Sequence, residues 1–514
     1  GGTSPEHPKL TWTGEDPYGA IVRKHNPNVE IINLGHEHHV GHAAAAFYNS
    51  GFKDAVAVIV DGCGTCKEIQ VSDEGDKNTG FETETIFDCN YGTGINVVFQ
   101  SFGGNYDTQR VISPKIEMDS AITIVKAYES VSEYLGFGFI EAGKTMGLAP
   151  YGKKDELIPP LFYGGRGNKN VFVPYYPMGA YFDHTRHPYL TLHEDPRAWH
   201  KDASKVTDAA KNLAWSVQDY TQRLVGDLIE KSVKMTGKKN IVIAGGYGLN
   251  CVANYYYQKR FPNLNIYVDP ISHDGGTALG LAKLVHYTRT KDKTIRPLSN
   301  LYLGPEREES YEFGDIKTTD VTPKDIASLL VDRKIVALFQ GRSEAGPRAL
   351  GNRSILYDPT DPKGKDYVNE VKGREWFRPF AGSMLQEDFE EWFETYGMKE
   401  SPFMMYAMDF KLSKHGEVPA ITHVDGTCRI QTVTKEQNEV YYTLIEEFRK
   451  ITGVPILFNT SFNLAGEPLV ETFDDAVKTI KNSAIDYMYL PELGKLIYYP
   501  YNDSLVDDLQ QEAA

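Results

Sequence analysis

The clearest hydrophobic pattern in the chain is Ala55 to Val60 (AVAVIV). This continuous, largely β-branched run predicts a strand buried on both faces, ending at Asp61-Gly62. Upstream, Val29 to Leu34 predicts a short apolar strand interrupted by Gly35. An Ala-rich stretch then predicts a helix from His38 to Asn49, stopping near Ser50-Gly51. Residues 81–112 read as strands and turns. A helix near Ile122 to Leu135 leads into a Gly-rich stretch, Gly136 to Gly152. Between Ala203 and Thr236, the residues Val206, Leu213, Val217, Tyr220, Leu224 and Leu228 recur near the helical spacing of about 3.6, which predicts a long amphipathic helix stopped by Gly237. Strand Ile241 to Ala244 meets Gly245-Gly246-Tyr247-Gly248. A second strand, Ile266 to Val268, is followed by Ser272 to Gly276 and a small-residue helix, Thr277 to Leu284. Strand, glycine turn and helix in that order are the grammar of α/β nucleotide-binding folds.

A polar, Pro-punctuated stretch at 287–305 marks the expected boundary between a unit at 1–290 and a second α/β unit at 300–514. The second unit is predicted to hold a strand at Ile335 to Phe339, an Arg-rich loop at 341–380, a helix at Lys435 to Ile451 and a strand at Pro455 to Phe458. Residues 153–200, irregular and rich in Pro, Tyr and His, read as an insertion or lid. Gly1 to Asn28 shows neither strand nor helix period and reads as a loop or an incomplete N-terminus.

Composition changes this picture little. The 514 residues are 41% hydrophobic and 24% charged, which excludes a disordered or collagen-like chain. No apolar run reaches the roughly 18 residues that span a bilayer. Five cysteines are too few for a disulfide framework, so a cytoplasmic setting is expected. Cys63 and Cys66 form a C-x-x-C with no second pair at zinc-ribbon spacing, which favours ordinary packing. The net charge of −16 argues against binding of long nucleic acid, although a nucleotide fits a local basic pocket.

Three constellations carry chemistry. His38-x-x-x-His42 puts two imidazoles on one helical face, within reach of one metal. With 14 histidines in the chain the spacing alone is a weak signal. Asp61 and Asp274 add weight, because each sits where a strand gives way to glycine and a lone buried carboxylate is costly. Two His and two carboxylates suit Fe(II), Mn(II) or Zn(II). The glycine turns around Gly245, Gly246 and Asn250 and at Asp274-Gly275-Gly276 would let backbone N–H groups approach phosphate or ribose; tight helix–strand packing is the plainer reading. The strongest constellation is the run from Gly341 to Ser354, with Arg342, Arg348, Arg353 and Ser354. It is followed by Lys372, Arg374, Arg378, Arg429, Asn459 and Ser461. Arginines held in glycine loops of an acidic protein point to local anion binding, against the alternative of a surface salt-bridge network.

With these residues in view, the chain resembles the nodulation-type O-carbamoyltransferases, the family of nebramycin synthetase and the cephem carbamoyltransferases. The similar stretches are EHHVGHAAAAF, IVDGCG, LGFGFIEAGKTMGLAPYG, AGGYGLNC, SHDGGTALG, GRSEAGPRALGNRSIL, WFRPFA, HVDGTCRIQTV and NTSFNLAGEPLV, in the family's order. The resemblance implies an actin/hexokinase-like (ASKHA) N-terminal domain and a YrdC-like α/β C-terminal domain. It implies that carbamoyl phosphate and ATP, accompanied by Mg(II), give carbamoyl adenylate in the second domain. The carbamoyl group would then pass to a small-molecule hydroxyl acceptor in the first, releasing AMP. Carried over, His38, His42, Asp61 and Asp274 would hold Fe(II). Gly245, Gly246 and Asn250 would hold the nucleoside. Arg348, Arg378, Arg429 and Ser461 would hold carbamoyl phosphate and ATP, with Arg342, Arg353, Lys372, Arg374 and Asn459 as neighbours. Glu141 and Lys144 are candidates for the acceptor pocket. The family's first Gly-His-Asp-type loop has no counterpart before residue 29, which leaves the general base unnamed. A homodimer is compatible with the resemblance. Two other readings are a hydrogenase-maturation or threonylcarbamoyl-type enzyme and a nucleotide-binding regulatory protein. The former carries an acylphosphatase and paired C-x-x-C fingers, for which the sequence offers no match.

Overall fold

The computed structural model describes residues 17–71, 75–104, 110–120, 123–138, 140–158, 161, 172–175, 179–182, 205–306, 311–314 and 316–498. Most of the expected insertion at 153–200 lies outside these residues, apart from a hairpin of Phe172–Tyr175 with Gly179–Phe182.

Two mixed α/β sheets organise the chain. In the first, Asp54–Val60 is central. It pairs in parallel with Asn240–Ala244, which in turn pairs in parallel with Asn265–Val268. On its other edge it pairs antiparallel with the long strand Lys77–Asn90, which continues the sheet through Gly94–Gly104. Every position of Asp54–Val60 after the first is buried, because helices His38–Ser50 and Asp208–Thr236 both pack on it. That double cover is why the sequence there is unbroken Ala, Val and Ile. The three parallel strands end together, and their C-terminal edge delivers Asp61, Gly245 and the 269–274 turn to one place.

Two close approaches make that edge compact. Gly245 has φ +89°, and a Cβ there would sit 2.2 Å from the Val60 carbonyl oxygen, so no side chain is tolerated. Helix His38–Ser50 crosses helix Gly275–Thr290 at Gly280, where a Cβ would lie 2.0 Å from the Gly41 oxygen. This crossing sets the His38/His42 face beside Asp274, which immediately precedes the second helix. Buried Asp269 ties the same region down by accepting from Asn49 Nδ2 at 2.7 Å.

The second sheet has nine strands in the order Lys317–Asp320, Lys495–Tyr498, Tyr487–Leu490, Val336–Phe339, Arg353–Tyr357, Ile456–Ser461, Ala381–Leu385, Thr427–Val433 and Ala407–Asp409. Its register aligns Ala381 with Arg429 on one side and Asn459 on the other, and Ser461 with Ser354. The helix Glu439–Thr452, N-capped by Asn438, covers one face. One continuous apolar core runs through residues of both sheets.

Two expectations fail. Val29 to Leu34 is not a strand. Asp54–Val60 is paired on both sides, so the segment does not join the sheet beside it, and Ile32 is exposed. Pro17–His25 is a helix where a loop was expected; it is too short for a period to stand out and begins at a Pro, as first-turn positions allow. The Gly-rich stretch at Gly136 to Gly152, for which the sequence predicts no element, carries a short helix, Ala142–Leu148. No helix among the described residues is long and apolar enough to cross a membrane.

Candidate active site between the two sheets

A cavity of about 770 Å³ opens between the sheets, lined by residues of both. Asp61 and Asp274 line one end, backed by His38 and His42, and the candidate ligand atoms of these four residues all fall within 4.8 Å of one another. His38 Nε2 is 3.1 Å from Asp61 Oδ2 and 3.5 Å from Asp274 Oδ1. His42 Nε2 is 3.7 Å from Asp274 Oδ1. The two Nε2 atoms are only 3.2 Å apart. Two lone pairs and two carboxylates converging on one point are satisfied best by a shared divalent cation, so the donor set fits a metal. The remaining oxygen of Asp61 accepts the Gly246 N–H at 2.8 Å, which fixes the carboxylate. Burial opposes charge on both His38 and Asp61, yet hydrogen bonding wins: Asp274 and then Asp61 push His38 up to about 9, and His38 holds Asp61 well below the carboxylate range. His39, one residue off the face, turns away to Thr85 Oγ1 at 2.8 Å and takes no part.

The other end is cationic. Lys372 is buried, and its Nζ donates to the Ser461 carbonyl and to Asn463 Oδ1 at 3.3 Å. Burial, then the neighbouring Arg374 and Arg378, hold its pKa well below the usual range. Arg374 is shifted down for the same reason and lies with its guanidinium carbon 4.9 Å from the Phe380 ring centre. Arg348 donates to the Leu249 carbonyl at 3.2 Å, while burial and then Arg429 push its pKa down to about 9. The buried Nε atoms of Arg348 and Arg429 have no hydrogen-bond partner. Among the described residues, only Arg378 of this group meets a carboxylate, Glu375 at 3.3 Å. Cations drawn into the interior without counter-charges are costly, and several held together make a candidate anion site.

Of the other expected site residues, Gly246, Asn250, Asn459 and Ser461 also line the cavity. Asn250 caps the helix Cys251–Arg260 and pairs with Gln218, its Nδ2 donating at 2.9 Å. Asn459 Nδ2 reaches the Ala349 carbonyl at 3.2 Å and so braces the Arg348 loop against the sheet. Gly245 lies behind the cavity wall in the tight approach described above. Arg342, Arg353 and Ser354 are not brought into the cavity. Arg353 spends its donors on the carbonyls of Gln340, Asn352, Gly341 and Glu471. Arg342 donates to the Gly304 and Leu303 carbonyls. Ser354 Oγ accepts the Gly351 N–H at 3.0 Å. Each of the three shapes the loop that carries Arg348.

Sequence reasoning missed several cavity residues. Lys126 and Glu129 line it from the helix Ile124–Tyr134, with Nζ and Oε2 2.8 Å apart. Burial outweighs Lys126 there and raises the Glu129 pKa. Their only sequence signal is an ordinary i,i+3 charge pair. Glu344 was read merely as part of the Arg motif. Its Oε1 accepts the N–H groups of Leu350 and Asn352 at 2.8 and 2.9 Å, folding the loop around a buried carboxylate. The five cysteines are free, and burial pushes the Cys63 thiol up to about 12, away from reactivity.

The geometry can be set beside known proteins. The family model described as Carbamoyltransferase N-terminus matches residues 19–283, and the one described as Carbamoyltransferase C-terminus matches residues 327–495. Nodulation protein NolNO of Sinorhizobium fredii is 33% identical over 87% of this chain, which spans 62% of that relative's length. Nodulation protein NolO of Bradyrhizobium diazoefficiens is 32% identical over 87% of this chain, which spans 76% of its length. The crystal structure of full-length HypF in the phosphate- and nucleotide-bound form overlaps 50% of this chain and 43% of its own at 13% identity, with a TM-score of 0.27, too low to bear on the site. Two family models covering most of the described residues, and relatives alike over nearly nine-tenths of the chain, lead to one conclusion: the chain belongs to the carbamoyltransferase family.

Proposed function

We propose that this chain is an ATP-dependent O-carbamoyltransferase with two half-reactions in one cavity. The observation that carries the reading is the cluster of Arg348, Lys372, Arg374 and Arg429, without partnering carboxylates among the described residues, open to the same cavity as Asp61 and Asp274 of the His/Asp quartet. Two phosphate-bearing substrates would supply the missing negative charge. Carbamoyl phosphate would lose its phosphate to water, and the resulting carbamate would attack the α-phosphorus of ATP, expelling pyrophosphate. Arg348, Arg378 and Arg429 would stabilise the charge on the five-coordinate phosphorus, and Lys372, Arg374, Asn459 and Ser461 would position the phosphates.

The carbamoyl adenylate would then meet a hydroxyl acceptor at the other end of the cavity. His38, His42, Asp61 and Asp274 would hold a divalent metal, Fe(II) by family resemblance, which supplies positive charge to a phosphate oxygen when bound. The Gly246 turn and Asn250 would seat the nucleoside. Glu129 is the cavity carboxylate outside that quartet whose pKa is raised, and we assign it the acceptor's proton. A shared cavity keeps a hydrolysis-prone intermediate away from bulk water. The first sheet and its helices would be an actin/hexokinase-like module and the second a YrdC-like module, meeting near residues 290–300. The acceptor would be a small hydroxylated molecule such as a sugar or nucleoside.

Two variants test this division. Arg348→Ala should abolish carbamoyl-phosphate-dependent pyrophosphate release. His42→Ala should lose metal, measured by plasma mass spectrometry, yet retain that release. Full pyrophosphate release by Arg348→Ala, or equal loss in both variants, would refute the assignment.

A further inference from the structure

Helix Ala142–Leu148 belongs to the first sheet's side of the cavity, and the loop carrying Lys372, Arg374 and Arg378 belongs to the second. One lysine joins them. Lys144 Nζ lies 2.6 Å from Oε1 of Glu141, the residue that precedes its helix, and 2.8 Å from Glu375 Oε1 across the gap. The second oxygen of Glu375 is 3.3 Å from Arg378 Nη1. Charges therefore alternate along Glu141, Lys144, Glu375 and Arg378. Glu141 is itself fixed, because its Oε2 accepts the Gly138 N–H at 2.9 Å. The same helix packs on the arginine loop at Gly147, where a Cβ would touch Pro379 Cδ at 3.2 Å. The Lys144 and Glu375 side chains are 19% and 15% exposed, so solvent screens their interaction less than a surface pair.

We propose that Lys144 is a positioning residue for the arginine pocket: it holds Glu375 off the cation cluster and thereby sets Arg378 for the phosphate-bearing donor. The proposal rests on the reading of that pocket as the donor site. Glu375 is the carboxylate within ion-pair reach of the cluster, and it competes with any incoming phosphate for the same cations. Shared with Lys144, it offers one oxygen to Arg378 and orients the guanidinium. Released from Lys144, it can swing fully onto Arg378 and Arg374, and an anionic substrate must then displace it. Because the lysine comes from the acceptor side, donor affinity becomes sensitive to events there.

The test uses the full chain. Lys144→Met should raise KM for carbamoyl phosphate in pyrophosphate release about tenfold, with kcat within about twofold. Lys144→Arg should restore KM. In a Glu375→Gln background, Lys144→Met should change nothing further, because the residue acts through Glu375. Isothermal titration with inorganic phosphate should show the same tenfold loss in Kd for Lys144→Met. An unchanged KM and phosphate Kd in Lys144→Met would overturn the proposal. So would a drop in kcat and melting temperature that the arginine variant does not rescue, or a further loss in the Glu375→Gln background. If the wild-type chain releases no pyrophosphate, the proposed function fails, while the phosphate titrations still decide the role of Lys144.

Discussion

Replacing Arg348 by leucine should make the unliganded protein more stable and leave it indifferent to phosphate. The guanidinium sits against the Leu249 carbonyl with no carboxylate partner among the described residues, and burial followed by repulsion from Arg429 brings its pKa to about 9. Against an ordinary value near 12.5, at about 1.36 kcal/mol per pKa unit, that is about 5 kcal/mol of unfavourable surroundings at face value. The cavity is open to water and the side chain can relax, and leucine forgoes the carbonyl hydrogen bond, worth about 1 kcal/mol. A net stabilisation of about 1–2 kcal/mol is therefore expected, or roughly 1–3 °C in melting temperature for a chain this large. Thermal melts with and without inorganic phosphate measure it. Wild type should gain several degrees with saturating phosphate, since an anion relieves the repulsion, and Arg348→Leu should gain much less. A variant that melts well below wild type, yet responds fully to phosphate, would refute the reasoning that the arginine is held there for an anion.

Further outcomes follow from the same geometry. The Lys372 pKa is depressed in the folded chain, so its charged form is disfavoured there relative to the unfolded chain. Its cost to stability is full at low pH and is relieved as pH rises through the folded-state value toward 10.5. An anion beside it raises that pKa again, so phosphate binding should take up protons at alkaline pH; calorimetry in buffers of different ionisation enthalpy detects this, and Lys372→Met should reduce the uptake. Adding a divalent metal at about 100 times its Kd should stabilise the wild type by about 2.7 kcal/mol, and a chelator should reverse it, while His42→Ala should show neither effect. Glu129→Gln should spare pyrophosphate release but slow carbamoylation of an acceptor found by mass gain on the order of a hundredfold; equal rates would remove the proton from that residue.

Much of the site was legible because its signals are local. An i,i+4 histidine pair and carboxylates at strand ends are visible in a string of letters, and the parallel strands bring them together. Arginines confined by Gly and Pro marked the stretch from which the cation cluster is built. Which arginines face it was not legible. Arg348 and Arg353 lie five positions apart in one motif, yet one opens to the cavity and the other is consumed by loop carbonyls. That outcome depends on how Glu344 folds the loop, a tertiary matter. Lys126, Glu129 and Glu375 were hidden for a related reason: ordinary charged residues on helices or loops gain meaning only from what faces them. Val29 to Leu34 shows the converse, since an apolar run is a strand only when it pairs, and this one joins no ladder among the described strands.

Everything proposed for the site depends on the cation cluster activating a carbamoyl group with ATP. The most direct measurement is pyrophosphate release by the purified chain given ATP, Mg(II) and carbamoyl phosphate, with carbamoyl phosphate omitted as the control. Release should require carbamoyl phosphate and disappear in Arg348→Ala. No release from the wild type, or release that ignores carbamoyl phosphate, would contradict that activation.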